Sequence, residues 1–308
     1  MPPAGSIDVS IVMPTYNTNP DWLRASVRSV LDDDGRIEVI VIDDGSEPPA
    51  TEILHDIGDP RLRIERLDHV GQSNARNRGI ELARGRFVRH FDADDVATPG
   101  STSWLLELTN GRDDVATYGG YVECTDTLKP VETVLCSTDG DVAEAMMLDR
   151  GFSIYHWCML MPRDVLLDIG GWDPNITHSV DFDLSLRVAE RVPMISGDRI
   201  VAHYRRHDGS VSRKAALAGL TGVRQTCAKA YDRNPHWRST HIEAGARLHL
   251  FADEIAWGHG AEAIGDVVTT IGRALRHDPV ASVRQVAAVG PRIARATGYR
   301  VKQRFAGT

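Results

Sequence analysis

Glu38-Val39-Ile40-Val41-Ile42-Asp43-Asp44-Gly45-Ser46 decides the fold. An apolar run of strand length stops abruptly at a turn sequence, and a run with no polar alternation is the pattern of a strand buried on both faces, as in a parallel sheet. Toward the amino end, Val9 to Met13 repeats the pattern and Pro14 ends it. Between the two runs, Trp22, Leu23, Val27, Val30 and Leu31 fall at helical spacing. Toward the carboxyl end, Leu62 to Arg66 reads as a third strand. Asn74 to Ala83 reads as a helix, with Ala75, Ile80 and Leu82 facing the core, Ser73 or Asn74 as N-cap and Gly85 as C-cap. Phe87 to Phe91 is a fourth strand. The order β-α-β-α-β predicts an α/β fold with a mostly parallel sheet and right-handed crossovers.

Three of these strands run into polar clusters: Pro14-Thr15-Tyr16-Asn17, Asp43-Asp44-Gly45-Ser46 and Asp92-Ala93-Asp94-Asp95. Ligands of open parallel sheets bind at the carboxyl ends of the strands, so the clusters are expected to share one crevice.

The chain has 308 residues, 42% hydrophobic, with a formal net charge of −8. It is large enough for a buried core, in one large α/β domain with an appendage or in two small domains. Its acidity argues against a nucleic-acid partner, which needs a basic face. Cys124, Cys136, Cys158 and Cys227 form neither a Cys-x-x-Cys pair nor a zinc spacing and read as free thiols of a reducing compartment. The first ten residues lack the basic and apolar regions of a signal peptide, and no apolar run reaches the roughly 18 residues of a membrane span. The expected location is cytoplasmic, at most peripheral to the inner face of a membrane.

Val115 to Tyr121, Val131 to Cys136 and Ile200 to Arg205 read as strands, and Asp141 to Leu148 and Asp181 to Val192 as helices. From Lys214 the texture changes to Ala-rich helical segments. The expected division is a domain over residues 1–213 and a helical appendage over 214–308. Eight basic residues between Arg273 and Arg304 face one acidic residue, Asp278. With Val283, Val286, Val289 and Ile293 this segment suits either a solvated helix face or an anionic membrane surface.

Asp92 and Asp94 alternate along an extended segment and so face one side. Carboxylates are hard donors for Mg²⁺ or Mn²⁺, ions that bridge protein carboxylates to substrate phosphates. Arg76 and the amino end of its helix are candidates for facing an anion. His203 and His207 have His-x-x-x-His spacing, but the segment reads as a strand and lacks the glutamate of a zinc helix. Trp157 suits either the core or stacking on a sugar.

Taken in order, Val9 to Asn17, Glu38 to Ser46, Gly71 to Asp95, Gly170-Gly171-Trp172-Asp173, Ser179 to Arg187 and Tyr204 to Ser212 closely resemble the family 2 glycosyltransferases of the GT-A fold. The resemblance covers about residues 7–212. It implies an inverting, metal-dependent transfer of a sugar from a nucleotide diphosphate, UDP by preference, to an acceptor hydroxyl on a glycan, a lipid-linked molecule or a small molecule. Pro14, Thr15, Tyr16, Asp44, Arg76 and Asp92 match nucleotide-binding positions, with Asp44 accepting from the base. Asp94 matches the principal ligand of Mn²⁺ or Mg²⁺, assisted by Asp92 and His207. Asp181 matches the catalytic base. The family's usual pair there is Glu-Asp, and this chain has Val180 in place of the glutamate. That substitution keeps a catalytically weak sugar-nucleotide-binding module as an alternative. A sugar-1-phosphate nucleotidyltransferase is a second alternative, disfavoured because Met13 to Asn17 contains neither glycine nor lysine. No Gly-x-Gly-x-x-Gly follows the first strand, which disfavours a dinucleotide oxidoreductase.

Overall fold

Val9–Thr15 (β1) and Ile37–Asp43 (β2) are buried at all seven positions each. They pair in parallel, with Val9 opposite Ile37 and Thr15 opposite Asp43. These facts come from a computed structural model that describes residues 6–135, 141–148, 154–207, 216–257 and 260–289. Leu62–Arg66 (β3) adds in parallel to β2, and Phe87–His90 (β4) in parallel to the other side of β1. Pro14 lies inside β1 and does not end it. The even residues of β1 bond toward β4, as in the bond from Phe91 N–H to the Val12 carbonyl. Register with β4 stops at Val12 opposite His90, so the N–H that proline lacks has no ladder partner to leave unsatisfied.

The remaining strands are Val96–Ala97 (β5), Ala116–Cys124 (β6), Pro130–Val134 (β7), Met159–Pro162 (β8) and Met194–Arg205 (β9). The sheet order is β3-β2-β1-β4-β8-β6-β9-β5, with β7 beside β6. Strands β5, β7 and β8 run against the other six. The sheet is therefore mostly parallel, as expected, and its strands β1, β2 and β4 end on one edge.

Helix Pro20–Leu31 (α1) is capped by Asn19, whose side chain accepts from Asp21 N–H and Trp22 N–H. Helix Gln72–Leu82 (α3) follows the short helix Ala50–Ile53 (α2). Its N-cap is Gly71, at φ 90°, so neither Ser73 nor Asn74 caps it. Gly85 does not cap it either, because the helix ends at Leu82 with Ala83 extended. A Cβ on Gly85 would lie 2.5 Å from the Ser10 nitrogen of β1, so glycine is needed there for close approach of two backbones.

Helix Ser101–Leu108 (α4) is capped from a distance, since Asp33 Oδ2 accepts from Thr102 N–H and Ser103 N–H. Arg89 of β4 is fully buried. It donates to Ser101 Oγ, Thr102 Oγ1 and the Val201 carbonyl, tying β4 to α4 and β9. Burial lowers its guanidinium to about 10. Helix Arg163–Asp168 (α6) and helix Val180–Ala189 (α7) complete this part of the chain.

The chain forms two compact units. Among the described residues, the first holds 6–135, 154–175 and 180–207, and the second 141–148, 176–179, 216–257 and 260–289. The second unit consists of helix Val142–Leu148 (α5) and the helices Ala216–Arg233, His241–Trp257, Gly260–His277 and 279–289. Its core contains Leu248, Val267 and Val289, with Phe251 and Ile271 packed against them. Val289 thus belongs to this core and not to an outward face. Gln285 donates to the Leu148 carbonyl, and His241 lies 3.2 Å from Glu144, which holds α5 in the unit. Ile293 and the basic positions from Arg292 to Arg304 lie outside the described residues. Among those described, no helix is long and apolar enough to cross a membrane.

Candidate active site

The parallel ends of β1, β2 and β4 bring the three polar clusters to one edge of the sheet. Thr15 closes β1, and its carbonyl accepts from Asp44 N–H beyond β2. Asp43 is buried and braces the turn. It accepts from Ser46 N–H, Ala50 N–H and Arg66 Nη1 at 2.8, 2.9 and 2.7 Å. Burial alone would raise its pKa, but these bonds outweigh burial and lower it.

Asp44 is also buried. Its two carboxylate oxygens accept from Val70 N–H at 2.7 Å and Gly71 N–H at 2.9 Å. The anion that meets the entrance of α3 is therefore this carboxylate. It also explains why the helix starts earlier than side-chain capping predicts. Tyr16 is half exposed and stacks on His69, ring centroids 4.1 Å apart. Pro14, Thr15, Tyr16 and Asp44 thus sit together around the β1 and β2 ends, with the aromatic pair as the outer surface.

On the other side of β1, Asp92 follows β4. Its Oδ1 is 2.7 Å from Arg76 Nη2 and 3.2 Å from His156 Nε2. Arg76 is 2% exposed, with its guanidinium 4.3 Å from the Trp172 ring centroid. It therefore faces Asp92 from within the fold and does not open to solvent. Burial favours a neutral Asp92, but His156 and Arg76 outweigh it and hold the carboxyl far below its usual range. Asp94 is raised, first by burial and then by the charge of Asp92, although His207 Nε2 lies 3.0 Å from its Oδ2. Asp95 is pushed well above its usual range by burial, then by Asp94 and Asp92, even though its Oδ1 accepts from Arg205 N–H. Of these three neighbouring carboxyls, Asp92 is compensated by its cationic partners, whereas Asp94 and Asp95 are packed where negative charge is under-compensated.

Gly170 to Asp173 is locked to this centre. Asn77 of α3 donates to the Trp172 carbonyl and accepts from Trp172 N–H, while Trp172 Nε1 donates to His90 Nε2. Arg187 of α7 reaches the Ile169 and Gly171 carbonyls and pairs with Asp183 at 2.8 Å. Asp183 is therefore engaged in fixing this loop. Asp181 lies in the first turn of α7 and is partly exposed.

His156 was not singled out for itself by sequence reasoning. It sits in the 3₁₀ turn His156–Cys158 just before β8, and the β4–β8 pairing carries it beside Asp92, 64 residues away in sequence. Only its place before an aromatic and an apolar run marks it in the sequence. Trp157 is core. Its ring is stacked between Tyr155 at 4.6 Å and Tyr204 at 5.0 Å, which leaves neither face for a sugar. His203 belongs to strand β9, not to a helix, which removes the zinc-helix reading. Cys124, Cys158 and Cys227 are buried and, among the described residues, in no disulfide, and Cys136 lies outside the described residues.

Residues 10–169 match the pattern of glycosyl transferase family 2. The uncharacterized glycosyltransferase EpsJ of Bacillus subtilis (strain 168) is 30% identical over 220 residues, which is 66% of this chain and 62% of EpsJ. The chain thus spans less than two thirds of that relative. Among solved structures, S. aureus TarS residues 1–349 with UDP-GlcNAc superposes with a TM-score of 0.68 at 12% identity, over 96% of this chain and 92% of that one. The mannosyltransferase PcManGT from Pyrobaculum calidifontis, with GDP-Man and Mn²⁺, gives 0.56 at 16% identity, over 96% and 83%. Both likenesses show the fold.

Proposed function

The chain belongs to glycosyl transferase family 2, and on that premise we propose that it transfers a glycosyl group from UDP to an acceptor hydroxyl with inversion, assisted by Mn²⁺ or Mg²⁺. The observation that carries this reading is the acidic cluster behind β4. Asp94 and Asp95 are both pushed toward neutrality by burial and by Asp92, a deficit that a divalent cation beside a diphosphate would offset. Hard carboxylate oxygens suit such an ion. Among the described residues, no group of three His, Cys, Asp or Glu side chains is arranged to hold an ion by itself. That agrees with an ion completed by substrate phosphate, which needs only one or two protein carboxylates. Asp94 and Asp92 would hold it, with His207 alongside. When bound, the ion stabilises negative charge on the departing phosphate.

In this reading Tyr16, with Pro14 and Thr15, supports the base, and Asp44 accepts from the base N–H with lone pairs not used by Val70 and Gly71. Arg76 acts through Asp92, whose orientation it fixes. At reaction, the acceptor oxygen forms a bond to the anomeric carbon as the carbon–phosphate-oxygen bond breaks. The nucleoside diphosphate leaves with that electron pair, and the acceptor proton passes to Asp181. The anomeric centre is inverted because one displacement occurs.

The likeness to TarS bound to UDP-GlcNAc supports a uridine donor, and the likeness to a GDP-Man enzyme makes the guanosine carrier the competitor to test. The test is a thermal-shift series with UDP, dTDP, GDP and their sugars, with and without Mn²⁺. Binding to the folded state raises the melting temperature by mass action. Stabilisation by UDP that grows with Mn²⁺ is expected. No shift with any nucleotide would remove the proposal.

A further inference from the structure

Helix Gly260–His277 uses one face for the core of the second unit. Val267 and Ala274 are buried there, and Ile271 packs against the same cluster. Beside that face, Ile264, Val268 and Leu275 are 52%, 64% and 38% exposed. At about 100° per residue they fall within an arc of about 40°. In the helix of residues 279–289, Val280, Val283 and Val286 are likewise 62%, 58% and 37% exposed. Six of the eleven exposed large hydrophobic side chains among the described residues thus lie between 264 and 286. A concentration of this kind marks an interaction surface, whereas scattered exposed apolar residues do not.

The charge around it points to the partner. The whole chain is at −8, yet the described residues 273–289 carry Arg273, Arg276 and Arg284 against the single Asp278. Arg276 and Arg284 are exposed and lie about 100° around their helices from the centres of the two apolar arcs. Apolar side chains flanked by arginines in a short helix make an interfacial surface, able to enter the headgroup layer while the cations meet acidic lipid. Neither helix is long and apolar enough to span a membrane.

We propose that the exposed apolar arcs of these two helices, Ile264, Val268 and Leu275 on the first and Val280, Val283 and Val286 on the second, dock the protein on an anionic lipid bilayer. The idea does not depend on the glycosyl-transfer reading.

The experiment is flotation of the full chain with phosphatidylcholine vesicles, with and without phosphatidylglycerol, at low and high salt. Binding is expected only with phosphatidylglycerol, and it should weaken at high salt. Val268→Asp and Val283→Asp should each reduce partition by about tenfold or more, the equivalent of one valine kept out of the layer. Val268→Ser should act in the same direction. Arg276→Glu and Arg284→Glu should each cost about fivefold. Circular dichroism of every variant should match the parent, since all four positions are exposed. Three results would overturn the proposal. One is no flotation with phosphatidylglycerol, and another is parental flotation of the valine variants, which would leave charge alone as the attraction. The third is a dimer by light scattering that Val268→Asp dissociates, which would assign the face to a second copy of the chain.

Discussion

Replacing Arg76 by methionine removes a cation that is 2% exposed and 2.7 Å from Asp92. Methionine keeps most of the apolar stem over Trp172, so the change is mainly one of charge. Asp92 is then left with His156 alone, 3.2 Å away, in a region already crowded with Asp94 and Asp95. Breaking a buried pair from one side costs about 3–5 kcal/mol, because the partner's charge stays buried and uncompensated. Loss of the Arg76 contact with the Trp172 ring adds up to about 2 kcal/mol. Asp92→Asn acts from the other side. It keeps an oxygen toward Arg76 but strands the guanidinium, so a comparable loss follows. The double variant Arg76→Met/Asp92→Asn removes both charges together. Its loss should fall short of the sum of the single losses by about 1–3 kcal/mol, the coupling expected of contacting groups. Because the chain has two units, global unfolding is not assumed to be two-state. Urea-dependent hydrogen exchange in peptides from β4 and α3 reads the first unit alone. With a slope of about 2–3 kcal/mol per molar urea, Arg76→Met should lower the midpoint by about 1–3.5 M. A loss under about 0.5 kcal/mol for Arg76→Met, or strict additivity in the double variant, would refute the buried-pair account.

Asp44→Ala should weaken UDP binding with or without Mn²⁺, since it removes the acceptor for Val70 and Gly71 as well as the proposed base contact; calorimetry reads both conditions. Asp94→Ala should remove only the Mn²⁺-dependent part of UDP affinity in the same titration. Asp43 has a lowered folded-state pKa, so its stabilisation is present above the unfolded value, near 3.9, and is lost as pH falls through the folded value. In Asp43→Asn the acid limb of the stability curve should therefore be shallower, as chemical denaturation across pH would show. Gly222→Ala places a Cβ 1.8 Å from the His178 carbonyl oxygen. The helix must shift, with a loss of about 1–3 kcal/mol visible as faster exchange in the helix Ala216–Arg233.

Strands β1 and β2 were legible because burial on both faces writes continuous apolar runs, and β3, only partly buried, was bounded correctly at Leu62–Arg66 from its alternation. Pro14 misled because its tolerance depends on where β4 ends, which no local pattern records. Gly85 misled because close approach to Ser10 requires glycine as surely as a helix cap does. Strand β8 was missed because four residues, Met159–Pro162, carry no readable period, and their antiparallel place between β4 and β6 is a tertiary outcome. The same insertion hid His156. Asp44, Asp92 and Asp94 were legible as strand-end carboxylates. That Arg76 is buried beneath Asp92, and that Asp183 pairs with Arg187, follows only from packing.

The central claim is single-displacement glycosyl transfer at this site. Its most direct test follows parent and Asp181→Asn by NMR with a UDP-sugar, Mn²⁺ and an acceptor found by screening, reading nucleoside diphosphate release and the anomeric configuration of the product. The account predicts an inverted product from the parent. It also predicts turnover reduced by about 10²-fold or more in Asp181→Asn, with donor affinity little changed. A product with retained configuration, or near-parental turnover in Asp181→Asn, would contradict it.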